Sequence, residues 1–430
     1  MTDTPNLESE VRSYCRSFPA VFQQARGDLL YDINGNRYID FFAGAGALNY
    51  GHNPPEIRKA IVDYLMQDGV MHSLDMATTA KHEFMNAFYR TVLKPRKLDY
   101  RMQFTGPTGT NAVESALKLA RRVKQRRNIV AFTNSYHGLT TGSLAVTAGQ
   151  FYRNETYIQR QDVAFLPYDG FLGSSVDSVD VLQRMLLSPS SGIDLPAAVI
   201  LETLQAEGGV NVASEHWLQS LAALCRDQGI LLIIDDIQVG CGRTGEFFSF
   251  EQSGIEPDMV ILSKALSGCG LPMSLLLLKP QWDQWKPGEH TGTFRGNNLA
   301  FVAGREALGL WGNDELSNEV NRKSKYLFER LEAIRSNFPE QVLDVRGRGM
   351  IAGIEFADSS LAKAIARNAF QRGVIIELCG PEIRVLKFLP PLTIDEEHLR
   401  EGLAVIEASI QSATHRNSST AAPPKQNTQI

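Results

Sequence analysis

Three ionisable residues follow three strongly apolar stretches of the chain. Glu202 ends AAVILE (197–202), Asp235 ends ILLIID (230–235), and Lys264 ends DMVILSK (258–264). Stretches that are apolar throughout and separated by helix-like segments are typical of buried parallel strands. Because ligands of open parallel sheets bind beyond the carboxyl ends of the strands, the three side chains are predicted to converge on one site. Burying them is costly unless they pair with each other or meet a ligand.

A lysine that faces a carboxylate across a crevice suits pyridoxal phosphate. The aldehyde of this cofactor needs a lysine amine for a covalent link, and its pyridine nitrogen needs an anion to stay protonated, because the protonated ring is the electron sink. Lys264 is the candidate amine and Asp235 the candidate anion. A single strand-end carboxylate often caps a helix instead, so it is the convergence of opposite charges that favours the cofactor.

Two further segments supply what else the cofactor needs. TGPTGTNAVESALKLAR places Gly109 and Thr110 in a tight turn at the start of a helix, where backbone N–H groups bind phosphate. NIVAFTNSYHG places Tyr136 and His137 just beyond another strand, where an aromatic ring can stack on the cofactor. Taken alone, the first segment is equally well explained as an ordinary capped glycine turn, and the tyrosine as a core or surface residue.

The GCGRTG segment (240–245) matches the G-x-G-x-x-G pattern of dinucleotide sites. A dinucleotide fingerprint follows its strand directly and opens a helix. Here DIQV intervenes, and the aromatic segment EFFSFEQSG follows. We therefore expect a glycine-rich loop near the cofactor and no dinucleotide site.

The composition argues against several classes of function. The 430 residues carry a net charge of -5, which gives no electrostatic reason to expect a nucleic acid or membrane partner. No apolar run reaches the ~20 residues of a membrane-spanning helix, and the polar N-terminus resembles neither a signal nor a transit peptide. The scattered cysteines and histidines lack metal-ligand spacing, so we expect no metal and a cytoplasmic location.

The alternation of strand-like and helix-like segments predicts an α/β fold. We expect a large domain (56–310) with a mainly parallel sheet sandwiched by helices, and a smaller α+β domain at 311–412. The N-terminal segment (1–55) is expected to join the small domain. The polar, proline-containing end (413–430) is predicted to be a disordered tail.

The block LLIIDDIQVGCGRTGEFFSFEQSGIEPDMVILSKALSGCGLP resembles the signature of class III (ω-amino acid) aminotransferases, and the resemblance runs over residues 27–410. It implies a fold-type I enzyme dependent on pyridoxal 5'-phosphate. Asp235 is then the partner of the pyridine nitrogen, Gln238 contacts the ring hydroxyl, and Lys264 carries the cofactor. Asp236 departs from the glutamate that the family has at this position.

The same resemblance assigns the rest of the cofactor site. Gly109 and Thr110 match the phosphate loop, and Tyr136 and His137 in SYHG match the stacking motif. HTGTFRGNN resembles a segment whose threonine, here Thr293, reaches the phosphate of the neighbouring subunit's cofactor. The resemblance therefore implies a homodimer, or a higher homo-oligomer, with active sites at the subunit interface.

Substrate binding follows from two more segments. ETLQAEGGV resembles the segment with the active-site glutamate, here Glu207, which in many relatives masks a carboxylate-binding arginine. The arginine position in IRVLKFLPPLTI is Lys387, with Arg384 nearby; a surface lysine on an edge strand is the alternative. Together, the segments FFAGAGALNYGHNPPEI, FTGPTGTNAVE, HTGTFRGNN and LKFLPPLTI most resemble diaminobutyrate–2-oxoglutarate aminotransferases, including those that begin ectoine synthesis. The resemblance implies reversible, ping-pong transfer from L-glutamate to L-aspartate 4-semialdehyde, giving L-2,4-diaminobutyrate and 2-oxoglutarate.

Three other functions remain open at this stage. Another ω-aminotransferase would use ornithine, 4-aminobutyrate or a similar amine. A class III aminomutase, racemase or decarboxylase would keep the cofactor and need no keto acid. A non-catalytic α/β binding module would bind no pyridoxal phosphate, although the lysine, the aspartate and the phosphate loop argue against it.

Overall fold

The computed structural model describes residues 7–154, 156, 162–173 and 175–420, without the side chains of 416–420. The α-helices are α1 (Tyr14–Ser17), α2 (Ala43–Gly46), α3 (Pro55–Met66), α4 (Thr79–Phe88), α5 (Gly109–Lys124), α6 (Thr141–Ala145), α7 (Ser178–Leu187), α8 (Glu215–Asp227), α9 (Asn298–Gly309), α10 (Glu315–Asn337), α11 (Ser359–Gln371) and α12 (Glu396–Thr420). The strands are β1 (Phe22–Arg26), β2 (Leu29–Asp32), β3 (Arg37–Asp40), β4 (Arg101–Phe104), β5 (Ile129–Phe132), β6 (Val163–Leu166), β7 (Ala198–Leu201), β8 (Leu204–Gln205), β9 (Asn211–Val212), β10 (Leu231–Asp235), β11 (Met259–Leu262), β12 (Leu275–Leu278), β13 (Val342–Arg348), β14 (Ile351–Phe356), β15 (Val374–Ile375), β16 (Glu377–Cys379) and β17 (Val385–Phe388).

A seven-stranded sheet forms the centre of the fold, in the order β4-β12-β11-β10-β7-β5-β6. Only β12 runs antiparallel to its neighbours. Successive side chains point to opposite faces of a strand, so Leu231 and Ile233 pack on the α5 side while Leu232 and Ile234 pack on the α8 side. Both faces are covered, which is why the strands are apolar throughout. The predicted fold class is confirmed.

Two smaller sheets complete the fold. The antiparallel sheet β13-β14-β17-β16 lies in the C-terminal part, and the sheet β1-β2-β3-β15 joins three N-terminal strands to a C-terminal one. β15 pairs in parallel with β3. The segment before α3 therefore shares a sheet with the C-terminal part of the chain.

The end of the chain differs from the prediction of a tail that starts at residue 413. Helix α12 continues to Thr420, and Ala413 is buried. Ile406, Ile410 and Ala413 are buried at helical spacing, so the apolar face of α12 extends past the expected boundary. The prediction is wrong for these first residues of the tail, and 421–430 lie outside the described residues.

None of the helices within the described residues is long and apolar enough to cross a membrane. No group of three or more metal-ligating side chains occurs in this part of the chain either.

Candidate active site

A cavity of about 500 Å³ opens at the carboxyl ends of the central parallel strands. Glu202, Asp235 and Lys264 all line it, as the strand-end pattern predicts. The register sets two of them side by side, because Leu201 of β7 lies opposite Ile234 of β10. Three ionisable side chains at or just beyond the ends of three strands thus meet in one crevice.

Lys264 is held in an unusual way at the wall of this cavity. Its backbone adopts a left-handed conformation with φ of 49°, which is costly for a residue with a side chain. Its amine makes no hydrogen bond or ion pair with any part of the chain that the structure describes. Burial lowers the pKa of Lys264, although Glu207 raises it. The result is an unpartnered amine with a reduced affinity for its proton.

Asp235 is fixed by two donors. His137 Nδ1 lies 2.7 Å from Asp235 Oδ2, and the Ile237 N–H donates to Oδ1 over 3.2 Å. His137 is buried, and its Nε2 atom has no hydrogen-bond partner. Because a carboxylate oxygen can only accept a hydrogen bond, Nδ1 is the donor to Asp235. The Asp235 carboxylate is therefore held rigidly toward the cavity.

Glu202 has a different role from Asp235 beside it. Its Oε2 atom accepts the Tyr136 N–H over 3.0 Å and so fixes the backbone of the SYHG turn. Burial and then the charge on Asp235 raise the pKa of Glu202 well above its usual value. Both effects disfavour the ionised form of Glu202, so its place in the site is to hold the Tyr136 backbone.

The first turn of α5 forms the opposite end of the cavity. Gly109 and Thr110 line it, and the first N–H groups of a helix have no partner within the helix. Thr110 Oγ1 lies 2.5 Å from Ser143 Oγ, which orients the hydroxyl. Gly138 has φ of 117°, and a Cβ there would lie 2.5 Å from Thr110 Oγ1. Glycine is needed at 138 for this close approach.

A cluster of buried charges lies behind the cavity wall. Lys387 is fully buried, with Nζ 2.6 Å from Glu207 Oε1 and 3.0 Å from Glu377 Oε1. Gln238 donates to Glu207 Oε1 over 3.0 Å and accepts from Lys387 over 3.3 Å. Burial alone would lower the pKa of Lys387, but the two carboxylates raise it above the ordinary value. Lys387 is a charged lysine inside the protein, and the interpretation of it as a surface lysine is wrong.

Two of the predicted site residues lie elsewhere. Arg384 lies just before β17, pairs with Glu355 at 2.7 Å and with Glu382 at 3.1 Å, and does not line the cavity. The structure therefore does not bring Arg384 to the cavity wall beside Lys387. Thr293 is exposed, and its carbonyl accepts from His72 over 2.9 Å.

The glycine-rich loop directly follows two residues of the cavity wall, Gln238 and Val239. Val239 lines the cavity, whereas none of the residues 240–245 does. Arg243 is fully buried, donating to the carbonyl oxygens of Met350 and Pro390 and to Asn49 Oδ1. Through Arg243 the loop is bonded to the carbonyl groups of the C-terminal part of the chain.

Sequence reasoning missed Glu377. It stands directly opposite Lys387 across the β16–β17 pair. The available signal was a single acidic residue within the apolar run VIIELC (374–379). A charge at one position of such a strand indicates a buried partner, but the sequence does not reveal which one.

The donor set fits pyridoxal phosphate. The α5 N-terminus and the Thr110 hydroxyl suit the phosphate, Asp235 suits the pyridine nitrogen, and Lys264 offers the free amine. Tyr136 lines the wall between them. The volume lies within the range of small-molecule sites in proteins.

Comparisons with known proteins agree with this geometry. The class III aminotransferase family model matches residues 12–410. A diaminobutyrate–2-oxoglutarate transaminase of Wolinella succinogenes is 59% identical over 404 residues, covering 94% of each chain. That of Bordetella parapertussis is 57% identical over 409 residues, covering 95% of this chain and 94% of the relative.

A solved structure extends the likeness to the fold. The ornithine aminotransferase of Toxoplasma gondii, which has pyridoxal phosphate at partial occupancy in its active site, superposes with a TM-score of 0.82. It is 27% identical and covers 96% of this chain and 94% of its own. The resemblance carried by the sequence motifs is thereby confirmed: the chain belongs to the class III aminotransferases, which are pyridoxal-phosphate enzymes of fold type I.

Proposed function

We propose that the chain transfers an amino group from L-glutamate to L-aspartate 4-semialdehyde, giving L-2,4-diaminobutyrate and 2-oxoglutarate, in a reversible ping-pong cycle. The observation that carries the proposal is the buried Lys387–Glu207 pair beside the free amine of Lys264. The names of the relatives at 57–59% identity support the same substrates. They favour this reaction over isomerisation, racemisation or decarboxylation, and over a non-catalytic module.

The cofactor, when bound, supplies an electron-poor ring that stabilises negative charge on the substrate carbon bearing nitrogen. Asp235, held in place by His137, would pair with the ring nitrogen and keep it positively charged. The Lys264 amine lines the same cavity and would accept the proton from that substrate carbon. Burial lowers the pKa of Lys264, so a larger fraction of its amine is unprotonated and able to accept a proton than in an exposed lysine.

Lys387 provides the positive charge that a dicarboxylate needs. Glutamate and 2-oxoglutarate carry a second carboxylate, which replaces Glu207 as the partner of Lys387. Aspartate semialdehyde and diaminobutyrate have only one carboxylate, so Glu207 stays paired and the charge of Lys387 remains balanced. A lysine gives a point charge here, where an arginine would give a bidentate contact.

A homodimer is the proposed assembly, with Thr293 of each subunit reaching the cofactor phosphate of the other. Thr293 is exposed and outside its own cavity. The adjacent Phe294 is 66% exposed and packs edge-on against His72. Exposed apolar side chains surround this point on the segment 70–76. Such a patch is typical of a subunit interface.

We also propose a cytoplasmic location. All five cysteines are unpaired in the structure, which suits a reducing compartment.

A single-turnover half-reaction tests the proposed substrates. Cofactor-loaded enzyme is mixed, without keto acid, with diaminobutyrate, glutamate, ornithine or 4-aminobutyrate, and the visible absorbance of the lysine-bound cofactor is followed. Fast loss of absorbance with diaminobutyrate and glutamate is expected. Selective reaction with another amine would replace the substrate assignment, and no reaction with any amine would refute amino transfer. Lys264→Ala should lack both the absorbance and turnover.

A further inference from the structure

Lys387 has two carboxylate partners of different kinds. Glu207 lies on the turn between β8 and β9 and lines the cavity. Glu377 lies on β16, directly opposite Lys387 in the antiparallel pairing with β17, and does not line the cavity. One partner is therefore reachable by a substrate, whereas the other is built into a sheet.

We propose that Glu377 is a positioning residue, the fixed counter-ion that holds Lys387 charged and in place while Glu207 gives way to a substrate carboxylate. The inference rests on the proposed function, because it concerns how a dicarboxylate is received. Glu377 would thus favour dicarboxylate substrates through Lys387, without touching the substrate itself.

The burial of the cluster makes a second carboxylate necessary. Lys387 is fully buried, and a buried lysine without an anion tends to lose its proton. If Glu207 were the sole partner, each exchange would pass through such a state. Glu377 Oε1 is buried and makes no hydrogen bond within the described structure, so its 3.0 Å ion pair with Lys387 is its evident function. A glutamate on the protein surface would have its carboxylate oxygens hydrated and would not be buried against a lysine.

The titration of Glu377 agrees with this role. Burial raises the pKa of Glu377 to about 7, Lys387 lowers it, and Glu207 raises it. When Glu207 leaves, the repulsion between the two carboxylates ends and Glu377 ionises more readily. The negative charge on Glu377 thus increases at the moment when Lys387 loses its other partner.

The remaining titratable groups around Lys387 do not provide an alternative counter-ion. They are the amine of Lys264, the thiol of Cys379, and the hydroxyls of Tyr14 and Tyr152. Burial raises the pKa of the Cys379 thiol and of both tyrosines, so all three are neutral at pH 7. Glu207 and Glu377 are the two carboxylates that form ion pairs with Lys387 in the described chain.

The test compares Glu377→Gln with Glu382→Gln, a control at an exposed residue that pairs with Arg384. The dissociation constant of 2-oxoglutarate is measured by calorimetry on the cofactor-loaded enzyme. We expect it to rise about tenfold or more in Glu377→Gln, since breaking a buried charge cluster is strongly unfavourable, and to stay unchanged in the control. In the half-reaction, Glu377→Gln should lose more of its rate with glutamate than with diaminobutyrate. Wild-type affinity in Glu377→Gln would overturn the proposal.

Two further variants separate positioning from folding. Glu377→Asp keeps the charge one methylene further away and should show a smaller rise in the dissociation constant; an unchanged value would count against the role. In a Lys387→Met background, adding Glu377→Gln should change 2-oxoglutarate binding no further, because Glu377 acts through Lys387. An additional loss there would overturn the proposal. A wild-type enzyme that binds no 2-oxoglutarate would refute the proposed function as well, whereas an effect limited to the variants would concern Glu377 alone.

Discussion

Replacing Asp236 by asparagine should stabilise the protein at pH 8 and do so much less at pH 5. Asp236 is 1% exposed, its Oδ2 atom accepts the Ser249 N–H over 3.1 Å, and its Oδ1 atom has no partner. Burial raises the pKa of Asp236 from 3.8 to about 7. The native state therefore binds more protons than the unfolded state between these values, and stability falls as pH rises through this window.

The size of the effect follows from the two pKa values. The penalty of the buried charge is about 4 kcal/mol at pH 8 and about 1.5 kcal/mol at pH 5, a difference of about 2.5 kcal/mol. Asparagine removes the charge at both pH values. The asparagine amide leaves an N–H without a partner at the position of Oδ1. This destabilisation is the same at pH 5 and pH 8, so it does not affect the difference between the two pH values. An unfolding entropy of about 0.9 kcal/mol/K for a chain of this length converts the difference to about 3 °C in Tm.

The assay is thermal denaturation of wild type and Asp236→Asn at pH 5 and pH 8, at one scan rate. Cofactor-free enzyme is used so that cofactor binding does not contribute, and Asp236 does not line the cavity. Asp358→Asn is the control, since hydrogen bonds from Ser360 and Leu361 lower the pKa of Asp358. Its carboxylate stabilises the fold above the unfolded pKa, so this variant should gain nothing at pH 8. An Asp236→Asn Tm shift that is equal at both pH values would refute the reasoning.

Three shorter predictions concern the cofactor site and the assembly. His137→Leu removes a donor to Asp235 and should weaken cofactor binding about tenfold or more in a titration; wild-type affinity would exclude the positioning role. Gly138→Ala, whose new Cβ would lie 2.5 Å from Thr110 Oγ1, should weaken cofactor binding similarly, and an unaltered dissociation constant would show that the turn relaxes. Phe294→Asp should convert a dimer to monomers in light scattering, and an unchanged mass would place the interface elsewhere.

The sequence predicted the strand-end part of the site because the relevant signals are local. An apolar run that ends in a charge identifies both the strand and the residue beyond it, and the sheet rules bring such ends together. Glu202, Asp235 and Lys264 therefore converge as predicted. The phosphate turn follows from one helix start in the same way.

The partners of Lys387 could not be predicted by these rules. Glu377 meets Lys387 through the register of β16 on β17, and Glu207 arrives from a turn about 180 residues away. The alternation of apolar residues predicts which side chains share one face of a strand, but it does not predict which residues of a neighbouring strand lie opposite them. Arg384 shows the converse: it is close in sequence to Lys387, yet it pairs with Glu355 and Glu382 and does not line the cavity.

The glycine motif is likewise held by a contact with a distant part of the chain, which the sequence pattern does not reveal. The GCGRTG pattern is typical of a ligand-binding loop. The side chain that fixes its position, however, is Arg243, which is buried against the carbonyl groups of another part of the chain. Its burial lowers the pKa of Arg243 to about 9, so the guanidinium is still charged at pH 7 and depends on those carbonyl oxygens. Glycines at 242 and 245 with φ of 91° and 107° let the loop fold back around it. The segment is therefore constrained by domain contact, and its neighbours Gln238 and Val239 are the residues that meet the cavity.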